Sequence, residues 1–338
     1  MPDSGPGREA AIAVILTAAP RPGTSGERVP PDYHHGVRTN TAEAIGLAAG
    51  AAADAVLGDP RRGHPVAAFG SAVTAAERRM YADDRAVGVA FTAGWVGAAT
   101  LTGALLARAG TLGTAAAAFS SLGGTSLCRI GDQIADALDA DEIDEARRLV
   151  SGLVGRDPSL LDESGICRAA VESIAENTSD AAVGPLIFAA AAGSAGLLGY
   201  RAINTLDAMI GYRNARYRDF GWAAARIDDV ANLVPARITA LAVAVVTRRP
   251  AAVWRAVRDD AGAHPSPNAG VVEAAFAGAL DIELGGRTVY SHGVEDRPTL
   301  GSGRPPNPAD LRAAVRLSRR VQRVVAAIAV VIRWRIRR

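Results

Sequence analysis

Glu172, Glu176 and Asp180 recur at intervals of four in the segment Arg156 to Pro185. On a helix that spacing puts all three carboxylates on one face, with Asn177 beside them. Acidic neighbours at this spacing repel one another, and a cation among them would remove the repulsion. Oxygen ligands on a partly hydrated site suit Mg²⁺. A solvated acidic face is the plain alternative. Val171, Ile174 and Ala175, and the apolar block that follows, leave little helix surface for solvent. Glu172, Glu176 and Asp180 are therefore candidate catalytic carboxylates, and the two glutamates candidate metal ligands.

The segment Tyr200 to Ala240 mixes Asn204, Asp207, Arg213, Asn214, Arg216, Arg226, Asp228, Asp229, Asn232 and Arg237 with apolar residues. Arg226 and Arg237 stand close to an apolar run, where an unpaired charge is costly. Carboxylates or a bound phosphate would pair with them. Asn204, Arg213, Arg216, Arg226 and Arg237, with Asn177, are candidate contacts to substrate or phosphate. The adjacent Asp228 and Asp229 read as metal ligands or as ordinary helix caps. Farther on, His264 to Leu280 begins HPSPN. Ser266 or Asn268 can cap the next helix, whose free N–H groups would attract an anion. His264 is either a proton acceptor or a structural hydrogen-bond partner. Gly285-Gly286 predicts a turn where backbone can approach a ligand. In Leu57 to Gly70, Arg61, Arg62 and His64 read as flanking charge at a membrane surface.

Composition narrows the chemistry. The sequence has no lysine, which excludes a P-loop of the GK[ST] form and a pyridoxal phosphate Schiff base. Phosphate must then be held by arginine, backbone N–H groups or a metal ion. Net charge is +2, which gives no reason to expect nucleic-acid binding. Cys128 and Cys167 fit no CxxC metal spacing and read as small buried side chains.

These residues must be positioned by helices, several of them in a membrane. The expected fold is all-α, a polytopic membrane protein with long amphipathic helices between its apolar blocks. Residues 1–40 predict a mobile tail, rich in Pro, Gly and charge; its short apolar run Ala10 to Ala19 only faintly resembles a signal peptide. Residues 41–338 predict a single membrane-embedded catalytic domain. Ala86 to Ala107 has the length of a bilayer crossing, and uncharged Thr111 to Leu127 would complete a helical hairpin with it. Ala42 to Leu57 carries Glu43 and Asp54, which a lipid-facing helix tolerates poorly. Asp136 to Val154 predicts one amphipathic helix, Ala309 to Arg320 another, and Leu284 to Tyr290 a turn and strand. Val321 to Ile332 ends in a basic run that would face the cytoplasm. If every block crosses once, the two central segments fall on opposite sides of the membrane. Ala181 to Gly199 and Leu233 to Thr247 are therefore predicted to be re-entrant or covered by protein.

The motifs GDPRRGHPV, AVESIAENTSDAAVGP, NTLDAMIGYRN with RIDDVANLVPAR, and HPSPNAG with LGG occur in this order over roughly residues 42 to 320. Together they resemble the adenosylcobinamide-phosphate synthase family of cobalamin biosynthesis, the CobD/CbiB family. The resemblance implies a multi-pass protein of the cytoplasmic membrane, its active site facing the cytoplasm. It implies an ATP-dependent ligase joining adenosylcobyric acid to aminopropanol or its O-phosphate, with Mg²⁺ on the ATP. The expected partners are the corrinoid, the amino-alcohol phosphate, membrane lipid and other cobalamin-biosynthesis enzymes. On this view Glu172, Glu176, Asp228 and Asp229 hold the metal, the arginines hold phosphates, and a carboxylate or His264 takes the amine proton. A non-catalytic scaffold for corrinoid enzymes and a transporter are the alternatives. A transporter would place its ionisable groups in mid-span and show repeated halves; here most lie between the blocks and no repeat is visible.

Overall fold

The computed structural model describes residues 31–60, 63–154, 158–290 and 293–336. Residues 1–30, and with them most of the predicted tail, lie outside this range, as do Arg61 and Arg62. Thirteen α-helices and one two-stranded sheet make up the described residues. The first helix, α1 (Pro31–Leu57), begins within the stretch assigned to the tail. After it come α2 (Pro65–Met80), α3 (Arg85–Arg108) and α4 (Gly110–Ser121). Pro65 opens α2, and His64 Nδ1 accepts the Val66 N–H at 3.1 Å. The small residues of α4 do what such residues do in membrane bundles, letting backbones approach closely. A Cβ on Gly46 of α1 would stand 2.6 Å from the Thr111 carbonyl oxygen, and one on Gly50 would stand 2.5 Å from Ala118 Cβ. The uncharged block does not continue as one helix to Leu127. Leu122 is extended, and α5 (Gly124–Asp139) starts afresh.

The predicted helix Asp136 to Val154 is also two. Asp141 adopts a left-handed conformation with φ 60°, ending α5 before α6 (Ile143–Val150). A short polar side chain tolerates that conformation better than most. Next come α7 (Glu163–Thr178), a π-helical turn at Ser179–Val183, and α8 (Gly184–Ile210). The α8 segment is a hairpin. As one straight helix it would separate Gly184 and Tyr200 by about 24 Å. Instead a Cβ on Gly184 would touch the Tyr200 ring at 2.2 Å, and the Phe188 and Tyr200 rings are 4.9 Å apart. The chain reverses at Ala192 and Gly193, where Gly193 has φ 62° and ψ −149°. From Ala181 to this reversal the rise is about 18 Å, short of a hydrocarbon core about 30 Å thick. Both ends of the hairpin therefore lie at one level, and the two charged segments come together there.

Among the described residues three segments have the length and apolar composition to cross a membrane: Arg85–Arg108, Glu163–Ile210 and Trp222–Thr247. The chain is thus an all-α membrane protein in architecture. Only 17% of the α3 window is buried inside the protein, so α3 is the span most open to lipid. The second segment contains the α8 reversal. The third is α9 (Trp222–Ala231) and α10 (Leu233–Thr247), joined at Asn232. Helices α11 (Pro250–Asp260) and α12 (Ala269–Leu280) pack beside α10. Strands β1 (Leu284–Tyr290) and β2 (Gly293–Leu300) then pair antiparallel, with Gly286 opposite Arg297. The second strand was not anticipated from the sequence.

The last helix, α13 (Pro308–Arg335), joins the predicted helix at Ala309 and the apolar block at Val321 into one element. A capping box of Asn307 and Asp310 fixes its start. Near its end, Arg333 pairs with Glu43 of α1, both side chains being almost wholly buried. This pairing settles how an apolar block carries Glu43. A Cβ at Gly193 would stand 2.5 Å from Glu43 Oε1, so the hairpin tip rests on the ion pair. Asp54 is likewise buried and accepts the Thr125 hydroxyl at 3.0 Å.

Candidate active site

Where the hairpin emerges, its two ends meet α9, the start of α10 and the loop before α12. Between them lies a pocket of about 360 Å³, lined by Glu176, Asp180, Asp207, Asp228 and Asp229 together with Arg213, Asn232, Ser266 and Asn268. The two central segments, separated in sequence by the hairpin tip, thus contribute to one wall. The π-helical turn begins at Ser179. Its wider pitch rotates Asp180 relative to the regular spacing from Glu176; such turns are frequent at functional sites.

Amide side chains hold the acidic wall in place. Asn204 Nδ2 donates to Asp180 Oδ2 at 3.3 Å, and Arg201 donates to Asn204 Oδ1 at 3.4 Å. Asn232 Nδ2 donates to Asp228 Oδ2 at 2.9 Å, while the buried Tyr200 hydroxyl donates to Asn232 Oδ1 at 2.6 Å. The second Asp228 oxygen, Oδ1, is buried without a hydrogen-bond partner. An ionised carboxylate oxygen in that state calls for a donor or a cation. Asp229 meets Arg226 at 3.4 Å. Arg237 donates to Asn268 Oδ1 at 2.8 Å, and Asn268 Nδ2 donates to the Asp229 carbonyl oxygen at 2.7 Å. Asn268 therefore ties α9 to α12 rather than capping α12. The cap is Ser266, whose Oγ accepts the Asn268 and Ala269 N–H groups at 3.3 and 3.2 Å. Its hydroxyl already engages two of the N–H groups that the sequence offered to an anion.

Several expected site residues stand elsewhere. Glu172 is one turn away from the pocket; its Oε1 accepts the Gly285 N–H and its Oε2 pairs with Arg297, both at 2.7 Å. The glycine pair does not form the expected turn: Gly285 and Gly286 lie inside β1 at a bulge in its pairing with β2, and the Gly285 N–H meets a carboxylate of the protein. Arg297 also lies 3.2 Å from His264 Nε2, and the Glu273 carboxylate is 3.7 Å from the same nitrogen. His264 Nδ1 accepts the Ser266 N–H at 3.0 Å. Both ring nitrogens are engaged inside the protein, so His264 supports the Ser266 loop and does not face the pocket. Burial pulls its pKa below the ordinary histidine value; the Ser266 backbone bond and Glu172 oppose this, and Arg297 reinforces it. Asn177 donates to the Ser173 carbonyl oxygen and hydroxyl on its own helix. Arg216 pairs with Glu77 at 2.8 Å and stacks on Tyr81, well removed from the acidic wall.

The pocket contains what the sequence left unassigned. Asp207 and Asn232 belong to a segment already marked, and Asp207 lies three residues after Asn204, hence on the same helix face. Arg297, Tyr200 and Glu273 carried no local signal. Among the described residues no three His, Cys, Asp or Glu side chains converge into a ready-made metal cage. The expected set of Glu172, Glu176, Asp228 and Asp229 is split, because Glu172 is committed to Arg297. The carboxylates that remain line a wall, an arrangement suited to a hydrated cation shared with substrate oxygens.

A helical membrane protein with a helical hairpin and an acidic pocket at its base is the class that fold and site define. The CobD/Cbib protein family model matches residues 47–318. The chain is 54% identical over 301 residues to the "Cobalamin biosynthesis protein CobD" of Mycobacterium tuberculosis, covering 86% of this chain and 96% of that one. Its namesake in Stutzerimonas stutzeri is 43% identical over 273 residues, 78% of this chain and 89% of the relative. That of Geobacter metallireducens is 41% identical over 281 residues, 77% and 86% respectively. No solved structure matches. The chain belongs to the CobD/CbiB family of cobalamin biosynthesis.

Proposed function

We propose that this protein is an ATP-dependent amide ligase that joins adenosylcobyric acid to aminopropanol or its O-phosphate. A role in cobalamin biosynthesis implies a corrinoid substrate. The observation that carries the ligase reading is the acidic pocket: five carboxylates face one space, one buried Asp228 oxygen lacks a donor, and Arg213 lines the same wall. A carboxylate becomes a usable electrophile when its oxygen is made a leaving group. In the proposed reaction the corrinoid carboxylate attacks the γ-phosphorus of ATP, the bond to the bridging oxygen breaks, and ADP departs. The amine nitrogen then attacks the acyl carbon, the C–O bond breaks, inorganic phosphate leaves, and the amine proton passes to a carboxylate.

Glu176, Asp180, Asp228 and Asp229 would hold Mg²⁺, which when bound neutralises charge on the transferred phosphoryl group. Arg213, which lines the same pocket, would meet phosphate oxygens directly. Arg226 and Arg237, already engaged by Asp229 and Asn268, fix the wall. Asp207 takes the proton role for which His264 is badly placed. The pocket would face the cytoplasm, where ATP is available. Purified protein in nanodiscs, supplied with adenosylcobyric acid, aminopropanol phosphate, ATP and Mg²⁺, tests this by mass spectrometry of the corrinoid. A new amide in wild type, absent from folded Glu176→Gln and Asp228→Asn proteins, is the expected result. Unaltered corrinoid with active, folded protein would overturn the ligase and favour a scaffold.

A further inference from the structure

GDPRRGHPV is the first of the four motifs, and the acidic pocket takes none of its residues. The loop is nonetheless held closely. Gly58 turns the chain in a left-handed conformation, φ 65°, at the end of α1, where a Cβ would strike the Arg129 guanidinium. Arg129 itself donates to the last carbonyls of α1, those of Leu57 and Val56, at 2.6 and 2.9 Å. The Asp59 N–H donates to Ser126 Oγ at 2.9 Å. His64 Nδ1 accepts the Val66 N–H, which leaves the proton of the neutral ring on Nε2. That nitrogen lies 3.3 Å from Asp59 Oδ1, so the imidazole donates to the carboxylate and orients it. The other oxygen, Oδ2, reaches the junction of α4 and α5. A Cβ on Gly123 would stand 3.8 Å from it and 3.7 Å from Ala181 Cβ. The Gly123 N–H also donates to the Ala181 carbonyl oxygen at 3.1 Å.

Ala181 directly follows Asp180, so the Asp59 carboxylate stands behind the acidic wall. Arg201 stands there too. It borders an apolar cavity of about 430 Å³ between α2, α3, α4 and the returning α8 arm, on the opposite side of that arm from the acidic pocket. Arg201 donates to Asn204, which donates to Asp180. Asp59 and Asp180 both act on the guanidinium charge through space, Asp59 the more strongly. A guanidinium one side chain behind Asp180 repels any cation brought to the wall. Partly buried charges are screened much less than exposed ones, so this repulsion carries through to the pocket. A carboxylate on the far side of the guanidinium offsets it. We infer that Asp59 is a positioning residue, oriented by His64, which keeps the Arg201 charge from weakening a cation site at Asp180. On the ligase reading that cation is Mg²⁺, and the role of Asp59 rests on that reading.

Mn²⁺ favours the same oxygen ligands as Mg²⁺ and serves as a probe that needs no turnover. Its binding to the full chain in nanodiscs, without nucleotide, is read by electron paramagnetic resonance. Asp59→Asn keeps the shape of the side chain and loses its charge, and Mn²⁺ affinity should fall about 10-fold. Asp59→Glu keeps the charge and should stay close to wild type. The double variant Asp59→Asn/Arg201→Gln should regain most of the loss, since no cation is then left behind the wall and the glutamine amide can still reach Asn204. Thermal unfolding in detergent checks that each variant is folded. Unchanged Mn²⁺ affinity in Asp59→Asn, whatever its unfolding temperature, would overturn the positioning role. A double variant as weak as Asp59→Asn would overturn the route through Arg201. Arg201→Gln alone should bind Mn²⁺ more tightly than wild type, and equal or weaker binding by the folded protein would overturn the same route. Absence of Mn²⁺ from wild type would instead overturn the metal wall of the ligase reading, and the role of Asp59 with it.

Discussion

The returning arm of α8 separates two cavities of similar size and opposite chemistry. On one side Asp180, Asp207, Asp228 and Asp229 crowd a polar pocket with few cations; on the other a single guanidinium faces apolar side chains. Asn204 and Arg201 join the two through the wall. The excess of carboxylate in the first calls for a ligand of the opposite sign, whereas the arginine beside the second has the Asp59 and Asp180 carboxylates acting on it. The comparison separates groups that act on a substrate from groups that hold the wall between the cavities.

That wall stands on the hairpin tip, so the largest effect is expected where the tip rests. Glu43→Gln leaves Arg333 buried without its carboxylate, and breaking such a pair costs about 3–5 kcal/mol. Chemical or thermal unfolding in detergent would register the loss. The double variant Glu43→Gln/Arg333→Met should recover most of it, since no charge is then left buried. If the single variant is as stable as wild type, the tip does not depend on the pair.

Asp228→Asn separates the two sides of the wall. Its side chain keeps its shape and the bond from Asn232, but loses the charge that a cation would meet. On the ligase reading, amide formation should fall by on the order of 10²–10³-fold, with unfolding temperature near wild type. An unchanged rate of amide formation in this variant would show that no cation depends on the Asp228 charge.

Gly193→Ala probes the reversal with a smaller change. A side chain there must tolerate φ 62° with ψ −149° and a Cβ 2.5 Å from Glu43 Oε1. Strain of this kind costs about 1–3 kcal/mol, read as a lowered unfolding temperature. An unchanged temperature would show that the reversal relaxes at no cost.

Much of this was legible in residues and some of it was not. The carboxylates of α7 and α9 announced themselves because helical spacing is local; Gly285-Gly286 marked the place of β1 but forms a bulge within the strand rather than a turn. That Ala181 to Gly199 could not be a plain crossing followed from where the charged segments had to meet. The reversal itself depends on one glycine conformation and on contacts between residues sixteen apart, which periodicity does not record. Glu172 misled because it shares a face with Glu176 and Asp180, yet its partner Arg297 arrives from a strand more than a hundred residues later.

His264 gives the smallest effect and the finest distinction. Its imidazole faces Ser266 from its own loop, Glu172 from α7, Glu273 from α12 and Arg297 from β2. Burial lowers its pKa in the folded protein, so the unfolded chain takes up the proton first as pH falls. Stability from this group is therefore present above the ordinary histidine pKa of about 6.5 and declines as pH drops below it. A fall in unfolding temperature between about pH 7 and pH 5, reduced in His264→Gln, is the expected result. The same substitution distinguishes support from catalysis. A supporting histidine leaves the pH profile of amide formation in the remaining activity unchanged, because the proton acceptor is a carboxylate in the pocket. A profile that loses its acidic limb in His264→Gln would return the proton to His264 and require the Ser266 loop to open toward the acidic wall.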